Sequence, residues 1–247
     1  MPSWRTLVMP REHGVWGLLA GAALVGLPLG SDLAGAPMLV AALAGVVLRQ
    51  AGSVPAGTPG RKRVLGLAGV AAILGLAAGG LLAGDRSWLP WLVAAIGVGF
   101  TCLRTPAGRP WWSSALGGVA AGLLAGAVAA AGGAGTALAA VGAGALAMHL
   151  VASVPLVRAQ TRGDLRWTSL ALELHVIALV VAVGGWSAGL FASGVPSVFA
   201  LGLARAACIL DKQLPMSVRL AHIGLRELAW LPVLAAGVVQ GVRGCPC

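Results

Sequence analysis

Nine stretches of this 247-residue chain are each apolar enough and long enough to span a bilayer, and they follow one another from end to end. They run over 14–30, 33–49, 64–84, 87–103, 113–132, 136–157, 168–190, 193–210 and 223–242, and polar residues or Gly/Pro punctuation end each one. No soluble core absorbs that much apolar chain. With 58% hydrophobic and 10% charged residues and a mean hydropathy of +0.91, the sequence lies outside the range of soluble domains. In hydrocarbon every backbone amide must be satisfied within its own segment, so the runs are read as helices. The expected architecture is an all-α polytopic bundle of about nine transmembrane helices forming a single membrane-embedded domain over 1–247. The shortest runs, about 17 residues at roughly 1.5 Å each, reach about 25 Å and cross nearly upright.

Charge fixes the orientation. With the N-terminus in the cytoplasm, nine crossings put all 17 Lys and Arg on the inner side except Arg86 and Arg243. Such sorting is the signature of an N-in, C-out topology, and a count wrong by one helix destroys it. The net charge of +10 is then accounted for by cytoplasmic loops facing anionic lipid headgroups, which excludes a nucleic-acid role. No cleavable signal pattern precedes the first run, so that segment is expected to stay in the membrane. Trp4, Trp16, Trp111, Trp112 and Trp167 fall near the inner interface, and Trp88, Trp91 and Trp186 near the outer one, as belt residues do.

Glycine supplies the packing. Gly118, Gly122 and Gly126 recur every fourth residue in the fifth run, and Gly75 with Gly79 and Gly80 with Gly84 repeat the pattern in the third. Small residues at this spacing let helix backbones approach closely, so these faces are read as seams. Of the four cysteines, Cys102 and Cys208 sit in runs as small apolar residues. Cys245-Pro246-Cys247 forms a tail expected to be disordered; two thiols alone make a weak metal site.

The polar residues inside the runs are one-sided. Pro10-Arg11-Glu12-His13-Gly14-Val15-Trp16 opens the first helix, with proline suited to the first turn and Glu12 favoured by the helix dipole. His13 stands in register with Gly17 and Gly21, on a face where a second helix can approach. His149 lies about two turns inside the sixth run, Glu173 and His175 one to two turns inside the seventh, and Arg205 about one turn inside the eighth. Arg158 and Arg162 end the sixth helix one turn apart, while Arg219, His222 and Arg226 fall on one face leading into the ninth beside Glu227. Charged groups at membrane depth face a bundle interior or a cavity and pair there. The expected site is a cytoplasm-facing intramembrane cavity rimmed by Arg11, Arg158, Arg162, Arg205, Arg219 and Arg226. Glu12, Glu173, Asp211 and Glu227 supply its counter-charge, and His149 and His222 line it. Arginine reads carboxylate and phosphate oxygens bidentately, so the ligand class is an anionic head.

The opening Pro-Arg-Glu-His-Gly-Val-Trp-Gly resembles the YwiC-like family of bacterial membrane proteins, as do Gly224-Leu225-Arg226-Glu227 and Val154-Pro155-Leu156-Val157-Arg158. The resemblance implies a multi-pass protein of the bacterial cytoplasmic membrane and brings no activity with it. It singles out Arg11, Glu12, His13, Gly14, Trp16, Arg158, Gly224 and Glu227. In topology alone the chain is similar to UbiA-type intramembrane prenyltransferases, which hold a diphosphate through magnesium on aspartate-rich motifs. Here the loop over 50–63 contains no acid and the loop over 158–167 only Asp164, so a magnesium–diphosphate site lacks its oxygen ligands.

Three functions fit this inventory. In the first, the cavity takes an amphipathic anion, such as an isoprenoid- or quinone-like lipid, with its head among Arg158, Arg162 and Arg226 and its tail between helices, and with His13, Glu173 or His175 as candidate general bases in a metal-independent UbiA-like reaction. In the second, Glu173, His175 and His149 couple protons to transport of a small anion, although an odd helix count fits an inverted repeat poorly. In the third, the glycine seams hold a partner membrane complex. The partners expected are membrane lipids and a lipid-like or small anionic substrate, with no metal and no cofactor.

Overall fold

The computed structural model describes residues 13–103, 111–162, 164–211 and 216–243, with side chains described over 17–101, 111–160, 164–210 and 226–243. Among the described residues the chain is all helix, in nine segments: α1 His13–Leu29, α2 Ala36–Gly52, α3 Arg61–Leu82, α4 Leu89–Leu103, α5 Trp111–Ala131, α6 Thr136–Arg162, α7 Leu165–Ser187, α8 Gly194–Asp211 and α9 Met216–Arg243. Each corresponds to one apolar run. The largest departures are at basic ends, where α6 continues to Arg162 and α9 begins at Met216. Hydropathy ends a run at its first polar residues, but helix hydrogen bonding continues through them because arginine, glutamine and leucine are good helix formers.

Four helices are long and apolar enough to cross a membrane by length and composition: α3, α5, most of α6, and α7. Shorter apolar segments lie in α1, α2, α4 and α8. Large apolar side chains point outward along these helices, including Leu67, Ile73, Leu74, Leu81 and Val180. This surface suits lipid rather than water, and the protein is a polytopic, all-helical membrane protein.

The packing is organised on α5, which is buried continuously from Leu124 to Ala131. It packs most extensively against α6, then against α4 and α1. The glycine seam forms this contact: a methyl group on Gly118 would stand 2.8 Å from the Leu150 Cβ, and one on Gly122 would overlap the Ala143 carbonyl oxygen. Gly126 is tight for another reason, since it receives the Trp91 ring at 2.9 Å. In α3, Gly75 and Gly79 meet Pro37 and Met38 of α2, whereas Gly84, just past the end of α3, has open space around it. In α1, Gly21 receives Leu146 and Leu231, while a methyl group on Gly17 would meet no other element within 4 Å among the described residues. The expected glycine face of α1 is thus in use at Gly21, about two turns beyond His13, against α6 and α9.

Short ties hold the ends. Asp164 caps α7 by accepting from the Arg166 N–H at 2.9 Å. Arg61 closes α2 by donating to the Ala51 and Gly52 carbonyls, which Gly60 permits with a left-handed φ of 79°. In the α3–α4 connection, Asp85 accepts from both the hydroxyl and the N–H of Ser87, which holds its carboxyl below the usual carboxylate range. At the far end Arg243 of α9 donates to the Pro28 carbonyl of α1 at 2.7 Å.

Candidate functional site

Helices α6, α7, α8 and α9 meet around a group of polar side chains that the bundle otherwise excludes. Among described residues the buried polar or charged side chains are Ser113, His149, Ser153 and His175. Three of these four belong to this meeting point. His149 and Ser153 are one turn apart on α6, and His175 faces them from α7. Arg205 enters from α8 and pairs with Glu227 of α9; both keep part of their surface exposed. Measured along the helices at roughly 1.5 Å per residue, the group lies about 10–20 Å from the basic ends.

One aromatic ring joins the parts. The Trp230 ring has the Arg205 guanidinium carbon 5.2 Å from its centroid, and the His149 ring 6.4 Å away, tilted by 36°. Three residues after Glu227, Trp230 shares its helix face, so α9 offers a carboxylate and a ring to the same cation. Gly202 of α8 leaves room between the rings. A methyl group there would lie 3.8 Å from Trp230 and 4.0 Å from the His175 ring, filling that space.

The hydrogen bonding of His175 fixes its chemistry. Its Nδ1 stands 2.7 Å from the Ala171 carbonyl oxygen, one turn back on α7. A carbonyl only accepts, so Nδ1 carries the hydrogen, and in the neutral ring Nε2 is a bare basic nitrogen. That nitrogen is buried with no hydrogen-bond partner among the described residues, and the Ser153 hydroxyl is likewise without one. Buried polar atoms are normally satisfied, and exceptions mark strain, chemistry or a guest.

Towards the basic ends the group is closed by a small apolar cluster of Leu156, Ala171 and Ala206, with Ile209 and Leu210 packed against it. Among the described residues the polar group is therefore roofed by apolar side chains on this side.

The candidates from the sequence divide accordingly. His149, His175, Arg205 and Glu227 are brought together. Glu173 is exposed. Two residues from His175, it lies about 200° round the helix, so only one of the two can face the interior. Arg226 is exposed for the same reason, being about 100° from Glu227. Arg158 lies nearer the α6–α7 connection, with its guanidinium carbon 5.1 Å from the centroid of Trp167. One arginine among the described side chains, Arg205, therefore reaches the polar group. Arg11, Glu12, and the side chains of His13, Trp16, Arg162, Asp211, Arg219 and His222 lie outside the described residues, as does the 245–247 tail. Helix α1 packs on α2, α5, α6 and α9, with no contact to α7 or α8 among the described residues.

Trp230, Gly202 and Ser153 were not among the sequence candidates. The available signal was a tryptophan well inside a run, away from either belt, and in phase with Glu227. Among described residues no three His, Cys, Asp or Glu side chains gather as a metal site would need.

No curated protein and no solved structure matches the chain. The family model for YwiC-like proteins matches residues 9–129, from the Pro-Arg-Glu-His-Gly opening through α5, the helix on which the bundle is organised. Over that stretch the chain is similar to YwiC-like proteins.

Proposed function

We propose that the protein crosses the bacterial cytoplasmic membrane nine times, N-terminus inside, and holds the anionic head of an amphipathic molecule at the Arg205 group. The observation that carries this reading is the guanidinium itself. A cation is kept inside a helix bundle against a single carboxylate and a tryptophan face, beside two buried histidines. Keeping charge there is costly unless it is used, and arginine at depth marks ligand sites more often than packing sites. A carboxylate, phosphate or sulfonate head joins Arg205 alongside Glu227 or in its place, the apolar tail lying between helices whose outer faces already suit hydrocarbon. Trp230 then forms one wall of the head site.

The test uses decane-1-sulfonate, an anion with an apolar tail, added to the protein in mild detergent. Saturable binding is expected by calorimetry or by a rise in melting temperature, weakened at least tenfold in Arg205→Gln and unchanged in Arg226→Gln. Equal affinity in wild type and Arg205→Gln removes the assignment.

A further inference from the structure

We infer that anion binding at this site takes up one proton from the medium, and that His175 Nε2 receives it. This rests on the reading of Arg205 as the anion site and adds a proton to it.

Charge balance drives the uptake. As it stands the group is balanced: Arg205 is positive, Glu227 negative, and the carbonyl of Ala171 holds a neutral His175 in its Nδ1–H form. A second anion on Arg205 leaves two negative charges against one positive among apolar walls, an arrangement a low-dielectric interior opposes. Something must supply a positive charge or lose a negative one. Nε2 of His175 has a free lone pair, is buried, and has no partner among the described residues. Protonation there leaves Nδ1–H bonded to Ala171 and adds an Nε2–H donor, so no existing hydrogen bond is broken.

Every helix around this nitrogen carries a charged or titratable group. From α6, His149 faces the group and lies against the Trp230 ring. Arg205 comes from α8, and its field reaches both histidines. Glu227 comes from α9, already engaged with Arg205. On α7 itself, Glu173 is on the opposite face. The proton balance is simple: one H⁺ from bulk water becomes the Nε2–H, no covalent bond other than N–H forms, and no oxidant is needed. Restored to neutrality, the loaded site suits a carrier of an anion with a proton as well as a binding protein.

Calorimetry with decane-1-sulfonate separates this proposal from the reading beneath it, because a sulfonate does not itself titrate. Titrations at one pH near neutrality in two buffers of different ionisation enthalpy are expected to show uptake of up to one proton per sulfonate bound, with affinity falling up to tenfold per pH unit as the pH rises through neutrality and levelling off once the loaded ring no longer takes the proton. In His175→Gln the uptake is expected to vanish while some binding remains. Glu227→Gln supplies an independent check. With that carboxylate neutral, the anion balances Arg205 alone, so binding without proton uptake is expected. Sulfonate binding with no proton uptake in wild type, or uptake persisting in either variant, overturns this inference and leaves the anion site standing. Failure of wild type to bind sulfonate anywhere between about pH 5 and 8 overturns both.

Discussion

At Arg205 and Glu227 the consequences of a paired charge can be measured singly. Removing one partner strands the other in a part-buried setting, whereas removing both strands neither. Arg205→Gln and Glu227→Gln are each expected to lower the melting temperature in detergent. The double variant should recover about 1–2 kcal/mol relative to their sum, a coupling of the size seen for contacting charge pairs. Strict additivity would mean that the pair is held by packing and contributes no mutual stabilisation. The same scale shows where sequence reasoning reaches its limit. Hydropathy alone flagged both Glu173 and His175 as costly, yet helical phase allows one of them to face inward, and the phase is set by which neighbours α7 meets. That is tertiary information, and α7 meets α6 and α8 on the His175 side. Trp230 was hidden for a related reason: an indole in a membrane helix is ordinary until an arginine from another helix is found over its face.

Elements were far more legible than side chains. Period and punctuation located each of the nine helices among the described residues because lipid removes the alternatives: a run without charges that cannot be a soluble core segment has little choice but to be a helix. The glycine repeat in α5 also carried its meaning openly, since spacing by four marks one face whatever lies opposite. What spacing withheld was the partner, which differs along the seam: Leu150 at Gly118, the Ala143 backbone at Gly122 and the Trp91 ring at Gly126. A graded result is therefore expected from substitution to alanine. At Gly122 the added methyl meets the Ala143 carbonyl and the α6 backbone beside Ala147, which cannot rotate away. Gly122→Ala should separate α5 from α6 and destabilise by roughly 1–3 kcal/mol, in the range of overpacked cores. Gly84→Ala, with open space around it, should be nearly neutral or slightly stabilising. Similar melting temperatures for the two variants would show that the α5–α6 contact does not depend on glycine.

For the molecule as a whole, the charge pattern makes a sharp prediction about which side of the membrane each end faces. If each of the nine described helices crosses, successive ones alternate in direction, which puts the 50–63 and 158–167 connections on one side and the α3–α4 connection at 83–88 on the other. Arg61, Lys62 and Arg63 stand in the first of these, with the α2 end closed by Arg61 itself; Arg86 stands in the last. Translocating a cluster of cations next to a short loop is opposed during insertion, whereas a single arginine is tolerated, and this asymmetry sets the orientation. In a variant freed of its native cysteines, Thr58→Cys and Asp164→Cys should be shielded from a membrane-impermeant thiol reagent added to intact cells and labelled after permeabilisation. Ser87→Cys should react from outside, since Ser87 lies in an exposed connection bonded to Asp85 alone. Labelling of 58 and 87 from the same side would mean that α3 does not cross. Labelling of 58 and 164 from opposite sides would mean that one helix between them fails to span. Either result would move Arg205 and Glu227 relative to the bilayer faces and change which compartment supplies the anion and its proton.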